Sequence, residues 1–205
     1  MLTVKQGEDT RDRIIKMARQ DHRIVSCVLV GSSAEGTDRW SDIDITFGVA
    51  TGLDINDVLR DWTEHLLPGF KAVHFFDLPY RTGIYRVFML PGSLQVDLSF
   101  FPESDFGAHG PRFKLLYGVA VKKEWPSSPS QRDMFGLAVH HLVRARLCIV
   151  RGRLWQAEYW ISTARDQALS IACVCLGLPS SQGRGFDLLP ASQLGNFNGS
   201  PSPLP

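Results

Sequence analysis

The run Asp42-Ile43-Asp44-Ile45-Thr46-Phe47 constrains this chain more than any other segment. Polar and apolar residues alternate with the period of a strand, so Asp42 and Asp44 share one face and Ile43, Ile45 and Phe47 the other. Upstream, Ile24-Val25-Ser26-Cys27-Val28-Leu29-Val30 is an apolar run that stops at Gly31-Ser32, as a buried strand stops at a turn. Backbone amides that follow such a strand can meet a phosphate group. Two carboxylates on one face repel each other unless a cation lies between them. Their oxygens suit Mg²⁺, which binds one or two protein carboxylates and fills its other positions with water and substrate phosphates. The competing reading makes Asp42 and Asp44 solvated strand charges and Gly31 a tight turn with no ligand.

A third acid stands in another alternating segment, Leu94-Gln95-Val96-Asp97-Leu98-Ser99-Phe100, where Asp97 is the only carboxylate. Gly31-Ser32, a spacer of nine residues, the Asp42-x-Asp44 pair and a later lone strand aspartate together resemble the signature of the DNA polymerase β-like nucleotidyltransferase superfamily. Within it, the chain is similar to the antibiotic nucleotidyltransferases of the aminoglycoside (kanamycin) and lincosamide type. The resemblance implies transfer of a nucleoside monophosphate, AMP from ATP, to a hydroxyl of a small molecule, with two Mg²⁺ ions as cofactors. It implies that Asp42 and Asp44 hold both ions and that Asp97 completes the ion facing the acceptor oxygen. It also implies that Ser32 and the amides near Gly31 bind the β- and γ-phosphates, with Ser33 as a second candidate.

The order of elements expected from the pattern is helix, strand, strand, helix and three strands. Thr10 is the expected N-cap of a first helix reaching about Asp21, with Ile14, Ile15, Met17 and Ala18 facing the core. A second helix is expected over Asp54 to Leu66, ended by Pro68-Gly69. Strands follow over Phe70 to Phe76, Ile84 to Leu90 and Leu94 to Phe101. This predicts an α+β fold: a mixed β-sheet with helices packed on one face over residues 1–125, the nucleotidyltransferase core of the resemblance, then a C-terminal helical region over 126–180. Residues 102–130 read as a Pro- and Gly-rich connector with a short helix around Arg112 to Tyr117. Two long helices are expected at Met134–Val150 and Trp155–Leu176, the second apolar nearly all round. Such a helix needs cover on several sides, and a homodimer is one way to supply it. The stretch 181–205 reads as a largely disordered tail.

Composition narrows the partners. With 205 residues the chain has enough length for a core, and its formal net charge of +1 excludes a broad electrostatic footprint for duplex nucleic acid. No stretch is long and apolar enough to span a bilayer, and no signal-like apolar segment stands at the start, so a cytoplasmic protein is expected. Cys27, Cys148, Cys173 and Cys175 lack zinc-type spacing and read as buried small hydrophobes.

Glu158 lies in a helical segment among Trp155, Tyr159 and Trp160. By resemblance to kanamycin-type enzymes it is a candidate base for the acceptor proton, its pKa raised by burial beside the aromatics. The plainer reading is an ion pair with Arg165. Arg86 is expected to pair with a sheet acid rather than touch phosphate. His140 and His141, being adjacent on a helix, diverge and cannot form the usual metal pair. Lys114 is a weak candidate for the triphosphate, and Lys122-Lys123 reads as a solvated charge pair. Two other functional readings stand beside the small-molecule enzyme: AMP transfer to a protein, as in toxin and antitoxin systems, and a non-catalytic nucleotide-binding module.

Overall fold

The computed structural model describes residues 3–34, 41–107, 112–122 and 129–195. The chain divides into two compact units, 1–125 and 126–205. The first is an α+β unit built in the order α1 (Val4–Gln20), β1 (Ile24–Val30), β2 (Ile43–Val49), α2 (Ile55–Phe70), β3 (His74–Tyr80), β4 (Gly83–Leu90), β5 (Leu94–Pro102) and β6 (Phe113–Tyr117). Its six strands form one mixed sheet in the order β3-β4-β5-β2-β1-β6, in which only β2 and β5 run parallel.

Alternation decides what each face of the sheet meets. Ile43, Ile45 and Phe47 of β2, with Val96, Leu98 and Phe100 of β5 and Cys27 and Leu29 of β1, are buried in one core with Ile14 and Ala18 of α1 and Val58, Leu59, Trp62 and Leu66 of α2. Both helices therefore cover the same face. Phe47, Trp62 and Phe100 stack at its centre, their ring centroids 4.8 to 5.6 Å apart.

A polar knot ties the ends of these elements. Arg23 donates to Asp21 and, at 2.6 Å, to Asp61 on α2, while the Trp62 indole donates to Asp21 Oδ2 at 2.8 Å. Burial alone would raise the Asp21 carboxyl, but the hydrogen bonds from Arg23 and Trp62 outweigh it and hold the group down at about 2.

Several boundaries differ from expectation. α1 begins at Val4, because Thr3 and Gln6 form a capping box that Thr10 lacks; the Thr10 hydroxyl instead donates to the Gln6 carbonyl within the helix. α2 runs through Pro68 to Phe70, and Lys71 ends it at φ 54°. A proline so near the end costs little, and the last turn is held by Phe70 packing on the core and by Arg13, whose guanidinium lies 4.2 Å from that ring. The third strand accordingly starts at His74. Residues 113–117 form a strand, not a helix, because β1 would otherwise present an unpaired edge. Gly118 and Val119 anchor it: the Ser26 hydroxyl both donates to and accepts from the Val119 backbone, and a Cβ on Gly118 would stand 2.2 Å from Ser26 Oγ.

In the second unit, α3 (Gln131–Val150) and α4 (Leu154–Cys175) form a hairpin across Arg151–Arg153. Buried Ala145, Cys148, Ala157 and Ala164 allow the helices to approach closely. Residues 181–195, expected as part of a disordered tail, instead form short helical turns and α5 (Ala191–Leu194), because Leu189 and Phe186 pack on Leu169 and Cys173 of α4; residues 196–205 lie outside the described residues. Cys175 is exposed rather than buried, within reach of the Gln131 amide. Apolar side chains are uncovered on both helices: Phe135, Val139, Leu142, Val143 and Val150 on α3, and Leu154, Trp155, Tyr159 and Ile161 on α4. No helix among the described residues is long and apolar enough to cross a membrane.

Asp21→Asn is expected to destabilise the fold by about 2 kcal/mol at pH 7, the value of a carboxyl lowered by this much. Because the folded pKa lies below the ordinary 3.8, this contribution is complete above about pH 4 and lost as pH falls towards 2. Urea unfolding at pH 7 and pH 3 reads both: the gap between the two proteins narrows at the lower pH.

Candidate active site

The central parallel pair, β2 and β5, sets Asp44 directly opposite Asp97. Residues opposite each other in a ladder present their side chains to one face, so these two carboxylates stand side by side on the face away from α1 and α2. Asp42 lies just ahead of β2 and is exposed; Asp44 and Asp97 are half-buried. Strand alternation keeps Asp42 and Asp44 on a common side, while Ile43 and Ile45 anchor the segment in the core.

Asp97 carries the sharpest electrostatic signature. Its Oδ1 is buried without a hydrogen-bond partner, and Oδ2 accepts from the Gln95 amide at 3.1 Å. Burial pushes the carboxyl up to about 6; the Gln95 hydrogen bond works the other way, and the neighbouring charge of Asp42 adds to the rise.

The turn after β1 closes the site on its other side. Gly31–Ala34 form a short 3₁₀ turn, with Gly31 at φ +63°. A Cβ on Gly31 would stand 2.6 Å from Asp44 Oδ2. The residue is thus confined to glycine by its backbone and by the nearby carboxylate. The hydroxyl contacts expected of Ser32 and Ser33, like the spacer residues 35–40, fall outside the described residues.

This donor set fits a divalent cation. A buried carboxylate oxygen without a hydrogen-bond donor, next to a second carboxylate and near the charge of a third, is stabilised by a positive ion more than by any further hydrogen bond the site offers. Among the described residues no three His, Cys, Asp or Glu side chains close on one point by themselves. The protein therefore supplies part of a coordination shell, which is the manner in which Mg²⁺ is held when phosphates and water complete it.

The remaining candidates have the following surroundings. Arg86 lies on the opposite face of the sheet, donating to both Asp77 oxygens and to Thr63 on α2 at 2.6 Å, so it pairs with a sheet acid as expected. Lys114 and Lys122 are exposed. His140 and His141 do not diverge as expected: their ring centroids lie 5.8 Å apart and both meet Trp160, at 6.4 and 5.1 Å, because the indole packs against this part of α3, with His141 buried. Glu158 is exposed, not buried among aromatics, because Trp155 and Tyr159 also face outward while Ala157 and Ala164 take the inner side of α4. It accepts from the Ser162 hydroxyl at 3.1 Å, and Arg165 pairs with Asp166 instead. Gln95 was not anticipated; its position two residues before Asp97 on one strand face was the available signal.

The sequence matches no family profile and no curated protein. Among solved structures, an aminoglycoside 6-adenyltransferase from Bacillus subtilis superposes with a TM-score of 0.41 at 12% identity, over 95% of this chain and 78% of that one. CdnC of E. coli MS115-1, solved in a CdnC:HORMA-deltaN complex, superposes with a TM-score of 0.32 at 18% identity, over 87% of this chain and 61% of that one. Superpositions this loose carry no argument about chemistry, which has to come from the carboxylates themselves.

Without a cation, Asp97 works against the fold. Its folded pKa lies above the ordinary 3.8, so the folded chain holds this proton more tightly, and the contribution is greatest below about pH 4 and lost as pH rises towards 6. Asp97→Asn is therefore expected to raise the Tm of the metal-free protein at pH 7 by about 2–4 °C, the shift that accompanies about 1 kcal/mol in a chain of this size. Differential scanning fluorimetry in chelator checks it, and added divalent cation should stabilise the unsubstituted protein more than the variant, which keeps Asp42 and Asp44. Gly31→Ala is expected to cost about 1–2 kcal/mol through its backbone and to move the Asp44 carboxylate, both readable from a melt and a crystal structure of the variant.

Proposed function

We propose that this chain is a metal-dependent nucleotidyltransferase that moves a nucleoside monophosphate, AMP from ATP, to a hydroxyl of a small molecule. The observation that supports it is the in-register pair Asp44 and Asp97 beside the Gly31 turn, with an Asp97 oxygen buried and free of hydrogen-bond donors. Asp42 and Asp44 would hold the divalent ions, Mg²⁺ in the first instance, and Asp97 would complete the one nearest the acceptor; these ions supply charge neutralisation for the entering and leaving oxygens. The amides of the Gly31 turn, with Ser32 and Ser33, would receive the β- and γ-phosphates.

In the reaction the acceptor oxygen bonds to the α-phosphorus, and the bond between that phosphorus and the α–β bridging oxygen breaks. Pyrophosphate leaves with the bonding pair, and the hydroxyl proton passes to a base. Glu158 is the candidate base. The acceptor class we propose is an antibiotic of aminoglycoside or lincosamide type, in a cytoplasmic setting. A second copy of the chain would cover the exposed apolar side of α3.

Pyrophosphate release from ATP in the presence of an antibiotic panel tests the reading. It is expected to vanish in excess chelator and to fall about a hundredfold or more in Asp42→Ala or Asp44→Ala, the scale on which a single group that stabilises transition-state charge acts. Full activity in chelator removes the metal assignment. Glu158→Gln keeps the hydrogen bond from Ser162 and should lower turnover without moving the Tm; undiminished turnover removes Glu158 from the mechanism.

A further inference from the structure

The face of the sheet that carries the carboxylates continues beyond them. Strand register extends the row Asp44–Asp97 to Val87 on β4 and Phe76 on β3. The next row runs Thr46, Ser99, Tyr85, Leu78. On β3 the residues of this face are His74, Phe76, Leu78 and Tyr80, and on β4 they are Gly83, Tyr85, Val87 and Met89. None is an acid, a lysine or an arginine. The charges of the two strands, Asp77 and Arg86, lie on the other face and neutralise each other there.

The shelf is apolar, and it is open along β3, whereas Gly83 and Val87 of β4 are buried. Phe76 is 42% exposed, Leu78 53% and Tyr80 39%, although all three belong to a regular strand. Tyr80, Tyr85 and Phe101 meet edge to face, ring centroids 5.6 to 6.4 Å apart, which stiffens the outer end. A stiff aromatic and aliphatic surface of this kind, left bare at a sheet edge, is the type that marks a binding site.

We infer that this shelf is the acceptor subsite, and that of the acceptors proposed above it takes a hydroxyl-bearing molecule with an uncharged apolar face and not a polycationic aminoglycoside. The inference rests on the nucleotidyl-transfer reading and deepens it. In that reaction the attacking oxygen and the departing pyrophosphate lie on opposite sides of the α-phosphorus. The Gly31 turn, where the β- and γ-phosphates would sit, abuts Asp44 on the β1 side of the carboxylates. The acceptor therefore approaches from the other side, over β5, β4 and β3. What it meets there is Phe76 and Leu78, with the partly exposed Met89 and Tyr85. Among the described residues of β3 and β4 no carboxylate faces this shelf, so a molecule carrying several ammonium groups gains less there than a ring or alkyl face that covers it.

The test titrates the full chain, followed by amide NMR, with phenyl β-D-glucopyranoside as a neutral probe that has an apolar face and hydroxyls, and with kanamycin A as a polycation. Phenyl glucoside is expected to shift signals of Phe76, Leu78 and Tyr85, and the double variant Phe76→Ser, Leu78→Ser to weaken its binding by about tenfold, as loss of exposed apolar contact area implies. Both substitutions are on an exposed strand surface, and a melt verifies that the variant folds. The inference is overturned if phenyl glucoside shifts no residue of β3 and β4, if it binds the double variant equally well, or if kanamycin shifts the shelf more strongly. A separate titration with Mg²⁺ and α,β-methylene-ATP, read at the Gly31 amide, keeps the two claims apart. No binding there defeats the nucleotidyl-transfer reading, whatever the shelf does.

Discussion

The parallel pairing of β2 with β5 is the contact on which the rest of the site depends. Asp44 and Asp97 are more than fifty positions apart in the chain, and only the register of these two strands sets them side by side. A slip of one residue would turn Asp97 into the core and bring Val96 or Leu98 out to face Asp44. The register resists slipping because Ile43, Ile45, Phe47, Val96, Leu98 and Phe100 are locked together under α1 and α2. Core packing and site geometry are two faces of one constraint.

The sheet divides its duties by face. One face is closed by α1 and α2, which the Asp21–Arg23–Asp61–Trp62 knot joins to the start of β1. The other carries the carboxylates, the Gly31 turn and the apolar shelf of β3 and β4, exposed along β3. The stabilising ion pairs of this unit, Arg23 with Asp21 and Asp61 and Arg86 with Asp77, belong to the closed face or its rim. The open face carries the acids Asp42, Asp44 and Asp97. An isolated fold gains nothing from a buried carboxylate oxygen that lacks a donor, so Asp97 Oδ1 lowers stability in a way that a bound cation would reverse.

The helical unit follows a different logic. α3 and α4 approach closely through alanines and cysteines, which leaves larger apolar side chains on the outside of α3. The short turns over 181–195 cover the far end of α4 with Phe186 and Leu189, and this segment is ordered by those two residues in spite of its polar, glycine-rich composition.

The local pattern by itself determined which residues could share a face. Alternation in 42–47 and 94–100 and the apolar run 24–30 ending at Gly31 are short-range signals, and these strands lie where those signals put them. Five residues such as Phe113–Tyr117 carry no period that separates a strand from a helix, so only the open edge of β1 made them a strand. Caps and helix ends were likewise settled by contacts: Thr3 with Gln6, and Phe70 with Arg13. Tertiary structure alone decided that Asp97 stands opposite Asp44, that Glu158 faces outward, and that Phe76 lies in the same row as the carboxylates. The physical reason is that strand order and register are fixed by burial of side chains far apart in the chain, and a single strand's pattern says which face a residue takes but not which neighbour it meets.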